Sequence, residues 1–137
     1  MEQETKQEVF KDGWFTVSEE GTARPQNLHV LARASVSCAA EQKKTGEKLI
    51  LRITADDHYR LYVNGRFAGE GPAPAYSEHY YYNELDLTDR MREGENLLAV
   101  HLYYQGLVNR VWNSGDGKFS LGCEILRRGS DGTETAE

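Results

Sequence analysis

Five stretches of the chain alternate apolar and polar residues with a period of two. In the first, Val30, Ala32, Ala34, Val36 and Cys38 fall on one side and Leu31, Arg33, Ser35 and Ser37 on the other. In the second, Leu49, Leu51, Ile53 and Ala55 alternate with Lys48, Ile50, Arg52 and Thr54. Tyr59 to Val63, Leu97 to Tyr103 and Phe119 to Ile125 repeat the pattern. Successive side chains on a strand point to opposite faces, so this period predicts half-buried β-strands. Asn64-Gly65 predicts a tight hairpin, because both central residues of a type I′ turn need positive φ. Gly69, Gly71, Pro72 and Pro74 exclude a central strand and leave a short edge strand around Phe67 to Gly69. Asp89 to Glu93 is about one helical turn, with Thr88 as its N-cap and Gly94 as its left-handed stop. The pattern predicts an all-β chain: an antiparallel β-sandwich with one short helical turn near 88–93.

A length of 137 residues predicts one domain over 1–137, with frayed polar tails at 1–7 and 133–137. The net charge of −6 argues against a nucleic-acid partner, since phosphate binding needs clustered Lys and Arg. No apolar run is long enough to span a membrane, so no membrane partner is expected. Met1 to Gln7 is polar and reads as no signal peptide, which leaves the compartment open. Cys38 and Cys123 fall on inward strand faces and read as small buried hydrophobes; a single disulfide between them stays open. His29, His58, His79 and His101 lack metal-ligand spacing and read as strand-face or surface residues. No nucleophile elbow, C-x-x-C or phosphate-cradling loop is present.

The residues also carry a family resemblance. Leu61-Tyr62-Val63-Asn64-Gly65, Gly69, Pro72-Ala73, Tyr80 to Tyr82, Asp86-Leu87-Thr88-Asp89, Gly94 to Val100 and Asp131-Gly132-Thr133 follow one another in order. Over about Leu49 to Thr133 this resembles the N-terminal β-sandwich domain of bacterial α-L-rhamnosidases, a galactose-binding-like jelly roll. The resemblance implies an accessory domain of a glycoside hydrolase whose catalytic acid and base lie on a separate helical-barrel domain. No catalytic residue is therefore expected here. Glycoside hydrolysis needs two carboxyl groups across a cleft, and nothing in the sequence pairs two of its 22 acidic residues that way. In the family, the turn matching Asp131-Gly132-Thr133 is followed by another strand and more of the enzyme. The chain is thus expected to be a piece of a larger protein. Phe119 to Leu126 should then lack a partner on one side, or pair with a neighbouring molecule.

Carbohydrate is the partner class that the resemblance implies, together with the remaining domains of a parent enzyme. A sugar site wants an aromatic platform and planar polar groups. Tyr104, Gln105, Asn109, Arg110, Trp112, Asn113 and Asp116 offer both in the loop after Tyr103. The family loop reads G-D-G-W-Y, whereas here Gln105-Gly106-Leu107 stands in its place and Trp112 comes later. Related sandwiches bind rhamnose through calcium. Asn113 and Asp116 are suitable oxygen ligands but fall short of the six to eight that calcium takes, so no metal site is assigned, and calcium stays open as a cofactor. A second surface, with Arg66, Tyr76 and Tyr80, suits docking onto another domain.

Overall fold

Asn64 and Gly65 adopt φ of 49° and 81°, the left-handed pair that the hairpin requires. In this computed structural model, residues 14–16, 27–38, 46–73, 81–106 and 120–136 are described. The turn joins β4 (His58–Val63) to β5 (Arg66–Gly71). The other strands are β1 (Trp14–Thr16), β2 (Leu28–Cys38), β3 (Lys48–Asp56), β6 (Asn83–Asp86), β7 (Gly94–Tyr104), β8 (Ser120–Arg128) and β9 (Glu134–Ala136). They form two antiparallel sheets. The four-stranded sheet runs β2-β7-β4-β5. In the five-stranded sheet β3 lies between β6 and β8, and β1 and β9 share the far side of β8.

The core lies between the sheets. β3 contributes Leu49, Leu51, Ile53 and Ala55, β4 contributes Tyr59, Leu61 and Val63, and β7 contributes Leu98, Val100, Leu102 and Tyr104. Each set is one parity of its strand, so the period-two pattern selects the buried face. The Tyr59 hydroxyl donates to Asn83 Oδ1 at 2.7 Å, and burial pushes its phenol up to about 12. The predicted edge strand is β5, with a register shift against β4 between Leu61 and Tyr62.

The structure corrects several expectations. β3 is buried on both faces, not one: Ile50, Arg52 and Thr54 are buried beside the core parity. Thr54 is satisfied there by donating to the Tyr81 carbonyl at 2.6 Å, and Arg52 by carboxylates. The helical turn shrinks to two bonds on the Leu87 carbonyl, from Arg90 N at 2.9 Å and Met91 N at 3.0 Å, and no helix follows. Its start is an Asx-type turn, in which Asp86 Oδ1 accepts from the Thr88 N–H and hydroxyl. The Thr88 hydroxyl oxygen in turn accepts from the Leu49 N–H at 3.0 Å, stitching the turn to β3. Gly94 has φ of 88° as expected, but it opens β7.

The last strand is not left unpaired. β8 pairs with β3 along its length and, on its other side, with β1 at residues 120–122 and β9 at 126–128. The expected missing partner is thus supplied within the molecule at both ends. Among the described residues only 123–125 lack a ladder on that side. Within the expected frayed tail over 133–137, residues 134–136 form β9, entered by a second Asx-type turn in which Asp131 Oδ1 accepts from the Thr133 N–H and hydroxyl. The tail at 1–7 lies outside the described residues, as does His79. Cys38 is buried and Cys123 half-buried, in different sheets, and no disulfide joins them.

Candidate functional surface

The order of motifs near the middle of the chain has a physical basis in Asn64 and Asn96. Asn96 is 2% exposed. Its Oδ1 accepts from the Arg92 N–H at 2.8 Å and from Asn64 Nδ2 at 2.9 Å. Its Nδ2 donates to the carbonyls of Arg92 at 2.8 Å and Gly94 at 3.1 Å. Asn64 returns the link, because its Oδ1 accepts from the Leu97 N–H at 2.9 Å. One pair of amides therefore holds the β4–β5 hairpin against the turn that enters β7. These residues are a scaffold.

The residues expected to form a sugar site separate. Tyr104 is the last inward residue of β7 and is 2% exposed, so it offers no ring face to a ligand. This corrects its assignment to the loop. Gln105 is half-buried, and its N–H donates to Asp57 Oδ2 at 2.6 Å while its carbonyl accepts from the Asn27 N–H at 3.1 Å. Asp57 is buried, and its Oδ1 has no hydrogen-bond partner. Its role is to anchor the chain as it leaves β7. Asn109, Arg110, Trp112, Asn113 and Asp116 lie outside the described residues, as do Tyr76 and Tyr80. Arg66 is exposed beside the hairpin tip.

Sequence reasoning missed the outer face of the four-stranded sheet. On β2, His29, Leu31 and Arg33 point outward; on β7, Tyr103, His101, Ala99 and Leu97; on β4, His58, Arg60 and Tyr62. The registers align them in rows: His29, Tyr103 and His58 in one, and Leu31, His101, Arg60 and Glu70 in the next. His29 Nδ1 and His101 Nε2 are 2.9 Å apart. Their ring centroids are 5.2 Å apart and the planes differ by 22°. The nitrogens are closer than the centroids by about two ring radii, so the imidazoles meet edge to edge and share one N–H between facing nitrogens. The His29 ring also leans on Tyr103 at 4.9 Å, and the Tyr103 hydroxyl donates to Asn27 Oδ1 at 2.8 Å. Arg60 pairs with Glu70 at 3.3 Å. Burial holds His58 below the ordinary histidine value, with Glu70 opposing and Arg60 adding. Leu31 is 81% exposed, Phe67 50% and Leu97 42%, all on this face. A ring-and-guanidinium end thus adjoins an apolar end, both open to solvent.

Two carboxylates of the other sheet are tied to arginines. On the outer face of the five-stranded sheet Arg52 contacts Glu84 at 3.0 Å and Glu134 at 2.9 Å, and Arg128 contacts the same two at 3.0 and 2.7 Å. A cavity of about 280 Å³ lies between the sheets, lined by Val30, Leu51, Ile53, Leu61, Leu102 and Cys123 among others. Among the described residues no carboxylate or imidazole lines it. Among the described residues no group of three His, Cys, Asp or Glu side chains could hold a metal.

The architecture defines the class: an antiparallel β-sandwich that displays an outer sheet face. It is a sandwich of the kind found in α-L-rhamnosidases, as the sequence resemblance implied. The GH78 family rhamnosidase of Bacillus sp. GL1 matches at a TM-score of 0.75 and 27% identity, covering 94% of this chain and 13% of that one. The α-L-rhamnosidase of Aspergillus terreus matches at 0.69 and 19% identity, covering 93% and 16%. The chain therefore spans about one seventh of these enzymes. A lectin of Pleurotus ostreatus, solved in complex with GalNAc, shares the fold at 0.56 and 19% identity, covering 91% and 33%. No protein-family model and no curated protein sequence matches the chain.

Proposed function

We propose that this chain is a non-catalytic β-sandwich accessory domain of an α-L-rhamnosidase-like glycoside hydrolase, which packs beside the catalytic part and helps to present substrate. One observation carries the reading: nearly the whole chain superposes on a small part of a rhamnosidase at 27% identity. The electrostatics support it. A glycosidase acid must keep its proton near neutral pH, which requires a raised carboxyl pKa. Here Glu84 and Glu134 are held below the ordinary glutamate value, first by hydrogen bonds from Arg128, with burial opposing and Arg52 adding. Both are ionised bases locked in ion pairs. The exposed Leu31, Phe67 and Leu97 supply the apolar contact that a neighbouring domain would cover. The chain alone should release no aryl group from an aryl α-L-rhamnoside above the buffer rate. Turnover that Glu84→Gln or Glu134→Gln abolishes would contradict this reading.

A second reading is an independent carbohydrate-binding module for rhamnosides or galactosides. The ring-and-guanidinium end of the four-stranded sheet favours it, because rings and fixed polar edges are what a pyranose recognises. Calorimetric titration with L-rhamnose and with galactose decides it, and no heat with either sugar counts against it.

A further inference from the structure

The chain carries a net charge of −6, yet one end of its exposed sheet face has the opposite character. β2 brings His29 and Arg33, β7 brings His101 and Tyr103, and β4 brings His58 and Arg60. Among the described residues the acidic groups near them are few. Glu70 on β5 is held by Arg60, Asp57 is buried at the start of β4, and Glu95 lies at the far end of β7 against Ser37. Arg33 is exposed and has no ion-pair partner among the described residues. The polar groups are also fixed. Strand spacing of about 4.8 Å sets the rows, and the His29–His101 and Tyr103–Asn27 bonds orient the rings.

We propose that this end of the four-stranded sheet binds an acidic saccharide, a sugar that carries a carboxylate. The proposal rests on the carbohydrate-binding reading above and adds the site and the ligand class. In this arrangement Arg33 and Arg60 flank the ligand two strands apart. The imidazole edges and the Tyr103 hydroxyl meet its hydroxyl groups, and Leu31 packs against its C–H surface. Arg60 exchanges part of its contact with Glu70 for the sugar carboxylate. An acidic sugar is favoured over an acidic protein because the rings and Arg60 form a narrow double row, with Arg33 in the next row beside Ala99, matched to a ring-sized ligand and not to a wide surface.

A pH dependence follows with a definite sign. A proton taken up by His58 adds positive charge beside the ligand, while the sugar carboxylate stays ionised well below neutrality. An anion favours the protonated His58 ring, so affinity rises as pH falls. Arg33 and Arg60 act throughout, and Glu70, Asp57 and Glu95 oppose. Burial disfavours the His58 cation, so that rise comes below the ordinary histidine value.

The test is calorimetric titration of the chain with a galacturonic acid trisaccharide and with a neutral galactose trisaccharide, at about pH 7.5 and about pH 5.5. The acidic sugar should bind at least about tenfold more tightly at the lower pH and about tenfold more tightly than the neutral one there, roughly 1.4 kcal/mol each. His101→Gln and Arg33→Gln should each remove most of that preference, and Arg33→Gln should leave the unfolding midpoint unchanged, since Arg33 is exposed. Added salt should weaken binding. Equal binding of both sugars, with no pH dependence, overturns the acidic-sugar assignment and leaves the carbohydrate-binding reading standing. No binding of either sugar overturns both. Tighter binding of a poly-glutamate peptide than of the acidic sugar overturns the assignment in favour of a protein-docking face.

Discussion

Asn96→Ala should destabilise the chain by about 3 kcal/mol, enough to move a thermal midpoint by roughly 10 °C. A polar residue with 2% exposure is an unusual place for so large an effect, and the reason lies in its partners. Removing the amide strands the Arg92 N–H and carbonyl and takes the acceptor from Asn64 Nδ2. A buried donor or acceptor left without a partner costs about 1–3 kcal/mol. The loss spreads, because Asn64 also holds the Leu97 N–H and so fixes the hairpin on β7. Asn96→Asp should be no milder. It keeps one acceptor but turns a second toward the Arg92 and Gly94 carbonyls, which now receive hydrogen bonds. Urea unfolding measures both variants. A loss below about 1 kcal/mol for Asn96→Ala would mean that water replaces the amide and that this pair does not hold the sandwich.

Arg52→Ala should cost about 3 kcal/mol near neutral pH. The guanidinium is 10% exposed and is hydrogen-bonded to Glu84 and Glu134, with Glu124 at 4.0 Å. Without it three carboxylates face one another across β6, β8 and β9, and only Arg128 still contacts Glu84 and Glu134. The short β9 depends on this contact, since Glu134 is its link to both arginines. The pH dependence fixes the interpretation. Glu84 and Glu134 are held below the ordinary value of 4.5, so their ion pairs stabilise the fold above that value. That stability is lost as pH falls through the lowered folded values. The parent protein should weaken in acid, whereas Arg52→Ala has less to lose, and the two stability curves should converge. Parallel curves would mean that the variant acts through lost packing and not through charge.

How much of this was legible in the sequence depended on the range of the interaction. Alternation within a strand marked β2, β3, β4, β7 and β8, because period two acts between neighbours. The same rule carried one residue further would have placed Tyr104 inside, as it shares parity with Leu98, Val100 and Leu102. β9 was missed because Glu134-Thr135-Ala136 is too short to show an apolar period, and its ladder to β8 and its ion pairs are long-range. The second buried face of β3 was hidden for a related reason: Arg52 and Thr54 read as solvent-facing until their partners are known. The surface around His29 and His101 could not be read at all. The two residues are 72 positions apart, and only the β2–β7 register brings their rings together. The Asn64-Gly65 and Gly94-Glu95-Asn96 motifs were visible as a resemblance, while their joint role required the amide pair to be seen.

The measurement that tests the accessory-domain account most directly is an immunoblot of native cell extract with an antibody raised against this chain, followed by a rhamnosidase assay of the captured protein. The account predicts a polypeptide several times longer than 137 residues that hydrolyses an aryl α-L-rhamnoside. A single species of this chain's own size, with no rhamnosidase activity in the captured fraction, would contradict it.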